Sequence, residues 1–61
     1  MNMQTPNILI VDDDKDILKL INMRLNAAGY ATTTANNGSE AMSAIMLQRP
    51  DLVISDLRMP A

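Results

Sequence analysis

Ile8-Leu9-Ile10-Val11-Asp12-Asp13-Asp14 is the stretch on which the fold turns. Four consecutive apolar, mostly β-branched residues with no polar alternation describe a strand covered on both faces, as in a parallel sheet. Three carboxylates then end the strand abruptly. Downstream, Ile17, Leu18, Ile21, Leu25 and Ala28 fall on one stripe at i, i+4 and i, i+7 spacings, which predicts an amphipathic helix over 14–28. Asp14 is placed to be its N-cap, Asp16 suits the positive end of the helix dipole, and Gly29 is a C-terminal stop. A buried strand, an acidic turn and an amphipathic helix make the first half of a βαβ unit.

The rest of the chain repeats the alternation. Residues 1–6 are a polar lead-in. Tyr30-Ala31-Thr32-Thr33-Thr34 is β-branched and half polar, as an edge strand is. Asn36-Asn37-Gly38 is a turn, and Asn37 with Glu40 three residues on resembles a capping box. Ala41, Met42, Ile45 and Met46 are the expected buried stripe of the second helix. Pro50 stops that helix and forces Arg49 out of helical geometry. Leu52-Val53-Ile54 reads as a second doubly buried strand, followed by Ser55-Asp56 and a loop over 57–61. The order β-α-β-α-β implies an α/β fold with a parallel sheet and right-handed crossovers. With no linker, repeat or low-complexity segment, 1–61 reads as one unit.

Composition narrows the function. Hydrophobic residues are 48% and charged residues 20%, a globular balance. There is no Cys and no His, which excludes disulfide staples, thiolate zinc sites and imidazole catalysis. The net charge of -2 disfavours direct nucleic-acid binding. No run approaches the ~20 apolar residues of a membrane span, and no secretory signal opens the chain, so a cytoplasmic location is expected. A chain of about 60 residues is marginal alone, which leaves a metal or self-association as the remaining sources of stability.

In open α/β sheets ligands bind at the carboxyl ends of the strands, where the strand order reverses. If strands 2 and 3 flank strand 1 (order 2-1-3), that point lies between Asp12-Asp13 and Asp56. Strands about 4.8 Å apart let these carboxylates converge, and their mutual repulsion calls for a cation. Mg²⁺, a hard ion usually held by one or two carboxylates plus waters, is the expected guest.

Three motifs in order, Ile8-Leu9-Ile10-Val11-Asp12-Asp13-Asp14, Asn36-Asn37-Gly38-Ser39-Glu40-Ala41 and Pro50-Asp51-Leu52-Val53-Ile54-Ser55-Asp56-Leu57-Arg58-Met59-Pro60, resemble the receiver domain of bacterial two-component response regulators over residues 7–60. The resemblance implies a flavodoxin-like doubly wound sheet, with Asp56 as the phosphoacceptor of a phosphorelay. It implies Asp12 and Asp13 in the Mg²⁺ site together with Asp56 and the backbone carbonyl of Arg58. It also implies a sensor histidine kinase as phosphodonor. Family domains have five strands and about twice this length, so the sequence reads as their N-terminal half, truncated after the third strand. The hydroxyl and lysine that end the family's fourth and fifth strands have no counterpart here, so phosphorylation of Asp56 is expected to be slow or absent.

Blander and competing readings stand beside this one. Asp12-Asp13-Asp14 is also what a solvated helix start looks like. Met3, Met23, Met42, Met46 and Met59 read as core filler or loop residues, Thr32-Thr33-Thr34 as edge-strand propensity, and Tyr30 as packing at the strand start. The strand ending in Asp12-x-Asp14 also resembles haloacid dehalogenase-like phosphatases, with Asp12 as nucleophile and Asp14 as acid-base. That family wants a small or hydroxyl residue soon after the second Asp, where this chain has Lys15-Asp16, so a non-enzymatic receiver is the preferred reading. A third reading is a non-signalling, self-associating fragment. An apolar strand 3 edge at Leu52, Val53 and Ile54, together with Leu20, Met23 and Ala27 off the stripe of helix 1 and Leu47 off that of helix 2, predicts a homodimer.

Overall fold

In the computed structural model, which describes residues 5–55, the apolar run becomes the central strand of a three-stranded parallel sheet. The elements are β1 (Asn7–Val11), α1 (Lys15–Ala27), β2 (Ala31–Ala35), α2 (Gly38–Gln48) and β3 (Leu52–Ser55). Strand order is β2-β1-β3, with Val11 opposite Ala35 on one side and Ser55 on the other. The two crossovers run in opposite directions along the sheet, so helices of one crossover hand must lie on opposite faces. The packing shows this. Ile8 and Ile10 meet Leu18, Ile21 and Leu25 of α1. Leu9 and Val11 meet Ala41 and Ala44 of α2, with Ala35 of β2. The strand period of two thus divides one apolar run between two cores, and Leu9 and Ile10 are both 0% exposed.

Local signals set the helix ends. Asp14 Oδ1 accepts from the Asp16 N–H at 2.9 Å and the Ile17 N–H at 3.3 Å, so Asp14 is the N-cap of α1. Gly29 has φ 98°, a left-handed value at which a Cβ would be strained. It donates to the Asn26 carbonyl at 3.0 Å while Tyr30 donates to that of Leu25 at 3.0 Å, the two bonds of a Schellman motif. In α2 the Asn37 side chain accepts from the Glu40 N–H at 2.8 Å. Glu40 reaches back to the Asn36 N–H at 2.9 Å, one residue earlier than a strict capping box requires. Arg49 closes α2 at φ 47°, ψ 64°, leaving the helix ahead of Pro50.

Four expectations need correction. β2 begins at Ala31, because the Schellman turn takes up Tyr30. Ala28 is exposed as the C-cap of α1. The buried stripe of α2 is Ala41 with Ala44, whereas Met42, Ile45 and Met46 are exposed. Small residues let the helix lie close to β1 and β2, and that contact turns the larger side chains outward. Finally, β3 is not doubly buried. Leu52 is 53% and Val53 43% exposed, because both helices lie over β1 and β2 and only Ile54 packs into the α1-side core. The loop expected over 57–61 lies outside the described residues.

These burial differences set the expected mutational responses. Leu9→Ala, which empties a fully enclosed site, is expected to destabilise the fold by about 3 kcal/mol. Met46→Ala, on an exposed face, is expected to change stability by less than about 0.5 kcal/mol. Urea unfolding followed by circular dichroism reads both.

Candidate functional site at the carboxyl end of the sheet

The three consecutive acids after β1 are separated into different jobs. Asp12 continues the ladder for one more residue, its N–H donating to the Ala35 carbonyl at 3.1 Å. It is only 5% exposed, the one charged side chain among the buried described residues. Its Oδ1 accepts from the Asp14 N–H at 2.9 Å, a local turn that ties this oxygen to the residue capping α1. The other oxygen accepts from none of the described residues. Asp13 is exposed to solvent. Asp14, committed to two amides of α1, is a cap. Asp12 and Asp13 therefore remain as the carboxylates at the mouth of the sheet, and Asp14 leaves the candidate set.

The position of β3 relative to this mouth is fixed from the other end. The Asp51 side chain accepts from the Asn7 N–H at 2.8 Å, and the Asp51 N–H donates to the Asn7 carbonyl at 2.8 Å. This two-bond clamp at the amino ends sets the register that carries through Ile8↔Leu52 to Val11↔Ser55. The carboxyl ends of β1 and β3 are consequently level, one residue before Asp12 and one before Asp56. Asp56 and Arg58 lie outside the described residues, and among those described no three acids gather into a metal-binding group. The donors at the mouth, a buried and an exposed carboxylate, are hard oxygen ligands of the kind Mg²⁺ takes.

Asp51 has no role that local sequence spacing assigns. Its signal was present, an Asp directly after Pro50 and before an apolar run, but local spacing does not reveal a partner 44 residues away. No helix among the described residues is long and apolar enough to cross a membrane.

Comparison with known proteins places this geometry in context. The sequence pattern described as response regulator receiver domain matches residues 8–61. The chain is 44% identical over 59 residues to the transcriptional regulatory protein GlrR of Escherichia coli (strain K12), covering 97% of this chain and 13% of that protein. It is 38% identical over 56 residues to the transcriptional regulatory protein PrrA of Mycobacterium tuberculosis, covering 92% of this chain and 24% of PrrA. It is 38% identical over 60 residues to the probable transcriptional regulator ycf27 of Cyanophora paradoxa, covering 98% and 25%. The chain thus spans a quarter or less of the length of these relatives. No solved structure matches it significantly.

The clamp makes a direct prediction. Asp51→Ala removes one partner of the Asn7 amide and is expected to cost about 1 kcal/mol. Hydrogen exchange should show the Asn7 amide losing protection while the amides of α2 keep theirs.

Proposed function

The chain belongs to the response regulator receiver domain family, and on that premise we propose that it is a phosphoacceptor segment of two-component signalling with Asp56 as the acceptor. The observation that carries this reading is the level pair of carboxyl ends, Val11 beside Ser55, at the point where the strand order reverses. Asp12 and Asp13 follow the first of these ends and Asp56 the second.

In this reading the Asp56 carboxylate oxygen attacks phosphorus, and the O–P bond forms as the P–N bond of a phosphohistidine on a sensor kinase breaks. Asp12, Asp13, Asp56 and the Arg58 backbone carbonyl would hold Mg²⁺, whose charge offsets that of the phosphoryl oxygens. Asp12 is suited to this role because the Ala35 and Asp14 bonds fix its backbone and one carboxylate oxygen. The chain accepts a phosphoryl group and is assigned no catalysis of other substrates. The relatives' names describe transcriptional regulators, so the protein to which this segment belongs is proposed to act on transcription in the cytoplasm, with nucleic-acid contact made elsewhere than here.

A second reading concerns association. The outer edge of β3 carries Leu52 and Val53, both largely exposed, and α1 exposes Leu20 and Met23. An apolar strand edge is a template for pairing, and a two-fold axis at β3 would join two copies into a six-stranded sheet with the central pair antiparallel.

Two measurements test these readings. With Mg²⁺ and acetyl phosphate, mass spectrometry of the chain should show slow uptake of one phosphoryl group, lost in Asp56→Asn and strongly reduced in Asp12→Asn. Complete retention in Asp56→Asn with loss in Asp12→Asn would instead indicate phosphatase-like chemistry at Asp12. Light scattering at micromolar concentration should give a dimer mass, and Val53→Lys should abolish it.

A further inference from the structure

The other edge of the sheet carries a separate feature. β2 pairs with β1 on one side and with no described strand on the other. Ala31 donates to the Pro6 carbonyl and the Ala35 carbonyl accepts from Asp12, so residues 31, 33 and 35 direct their backbone groups at β1. By the alternation of a strand, the N–H and C=O groups of Thr32 and Thr34 point away from the sheet. Beside this edge, on the α1 face, lies an open groove of about 300 Å³ over Leu18, lined by Lys15, Lys19, Asn22, Thr34, Asn36 and Glu40. Glu40 accepts from the Asn36 N–H and keeps its negative charge, so the two exposed lysines outweigh it and leave the groove lining with a net charge of +1 (two lysines less one glutamate).

We propose that the outer edge of β2 binds an extended, acidic peptide segment of a partner protein, which adds a strand to the sheet and sets alternate acidic side chains against Lys15 and Lys19. Two features, the β2 edge and the groove beside it, select this occupant. The unpaired Thr32 and Thr34 backbone groups suit an extended chain, since main-chain hydrogen bonds supply the affinity in strand addition. The lysines select its side chains. Lys15 and Lys19 are one helical turn apart, a rise of about 6 Å. Same-face residues of a strand recur at about 6.6 Å, so acids at i and i+2 meet both lysines. A second copy of this chain does not fit. Antiparallel β2–β2 pairing would bring two Lys15–Lys19 pairs onto one face of the joint sheet, setting like charges together. The edge lies across the sheet from β3, and the groove reaches the carboxyl end, where Lys15 follows Asp14 and Asn36 follows Ala35. Strand pairing is read at the Thr32 and Thr34 amides, so its test does not require the phosphoacceptor reading.

The test is a titration of the ¹⁵N-labelled chain with the peptide acetyl-Glu-Val-Glu-Val-Glu-amide, followed by NMR. The expected result is saturable shifts and gained exchange protection at the Thr32 and Thr34 amides, with little change at Thr33. The affinity should fall with added salt and drop about tenfold in Lys15→Glu/Lys19→Glu. Dispersion of the 8–11 amides reports that the variant is folded. If it is not, Lys15→Gln/Lys19→Gln gives the same readout with a smaller charge change. The proposal is overturned if the shifts do not saturate at millimolar peptide, or if the lysine variants bind unchanged. It is equally overturned if the same peptide N-methylated at every residue, which keeps the charge and removes all its backbone donors, binds as well, because the groove would then hold an anion without pairing a strand.

Discussion

The fold depends on one strand that is enclosed on every side. β1 is paired at both edges, by β2 and β3, and covered on both faces, by α1 and α2. Among the described residues no other element has four neighbours. Its side chains alternate between the two cores, so neither helix could dock without it. A chain of this length buries little surface, and most of what it does bury is gathered around five residues. The same enclosure explains why Asp12 is buried. It is the first residue past the strand and still bonds to Ala35 across the ladder, so the carboxylate is held at the edge of the apolar layer. A charge there is tolerable only with hydrogen-bond donors at hand, and the Asp14 N–H is one.

Around this strand the chain uses short-range devices to fix its turns. Asp14 and Asn37 cap the two helices, and Gly29 closes the first with a pair of Schellman bonds. Each of these groups would otherwise leave backbone donors or acceptors without partners at a helix end. Their effect on the acidic mouth is indirect. By taking the α1 amides, Asp14 is removed from the set of carboxylates that could bind an ion, so a run of three acids yields two at the mouth. The Asp51–Asn7 clamp works at the opposite end of the sheet, yet it sets the alignment of Val11 with Ser55.

The two edges of the sheet differ in chemistry. The β3 edge is apolar, with Leu52 and Val53 exposed, whereas the β2 edge is threonine-rich and flanked by lysines. Edge strands present unpaired backbone groups in both cases, but side chains decide what each can accept. Apolar residues favour another apolar strand. The β2 edge with its charged border favours a polar strand of opposite sign.

Much of this was legible in the sequence because it is written in local patterns. An unbroken apolar run, a 3.6-residue periodicity, cap residues and Gly29 specify five elements in order, and the acids after the runs mark the carboxyl ends. A parallel sheet with right-handed crossovers follows from that alternation, whereas the order β2-β1-β3 was implied only by the resemblance to receiver domains and is shown by the folded chain. Tertiary structure decided what local patterns do not encode. Which face of α2 is buried depended on how closely Ala41 and Ala44 let it approach the sheet, so Met42, Ile45 and Met46 turned outward despite their hydrophobicity. The exposure of β3 depended on where the two helices lie, since burial belongs to the neighbours of a residue as much as to the residue itself. The roles of Asp51 at the β1–β3 clamp and of Lys15 and Lys19 beside the β2 edge arise from contacts between segments distant in sequence, which only the folded chain brings together.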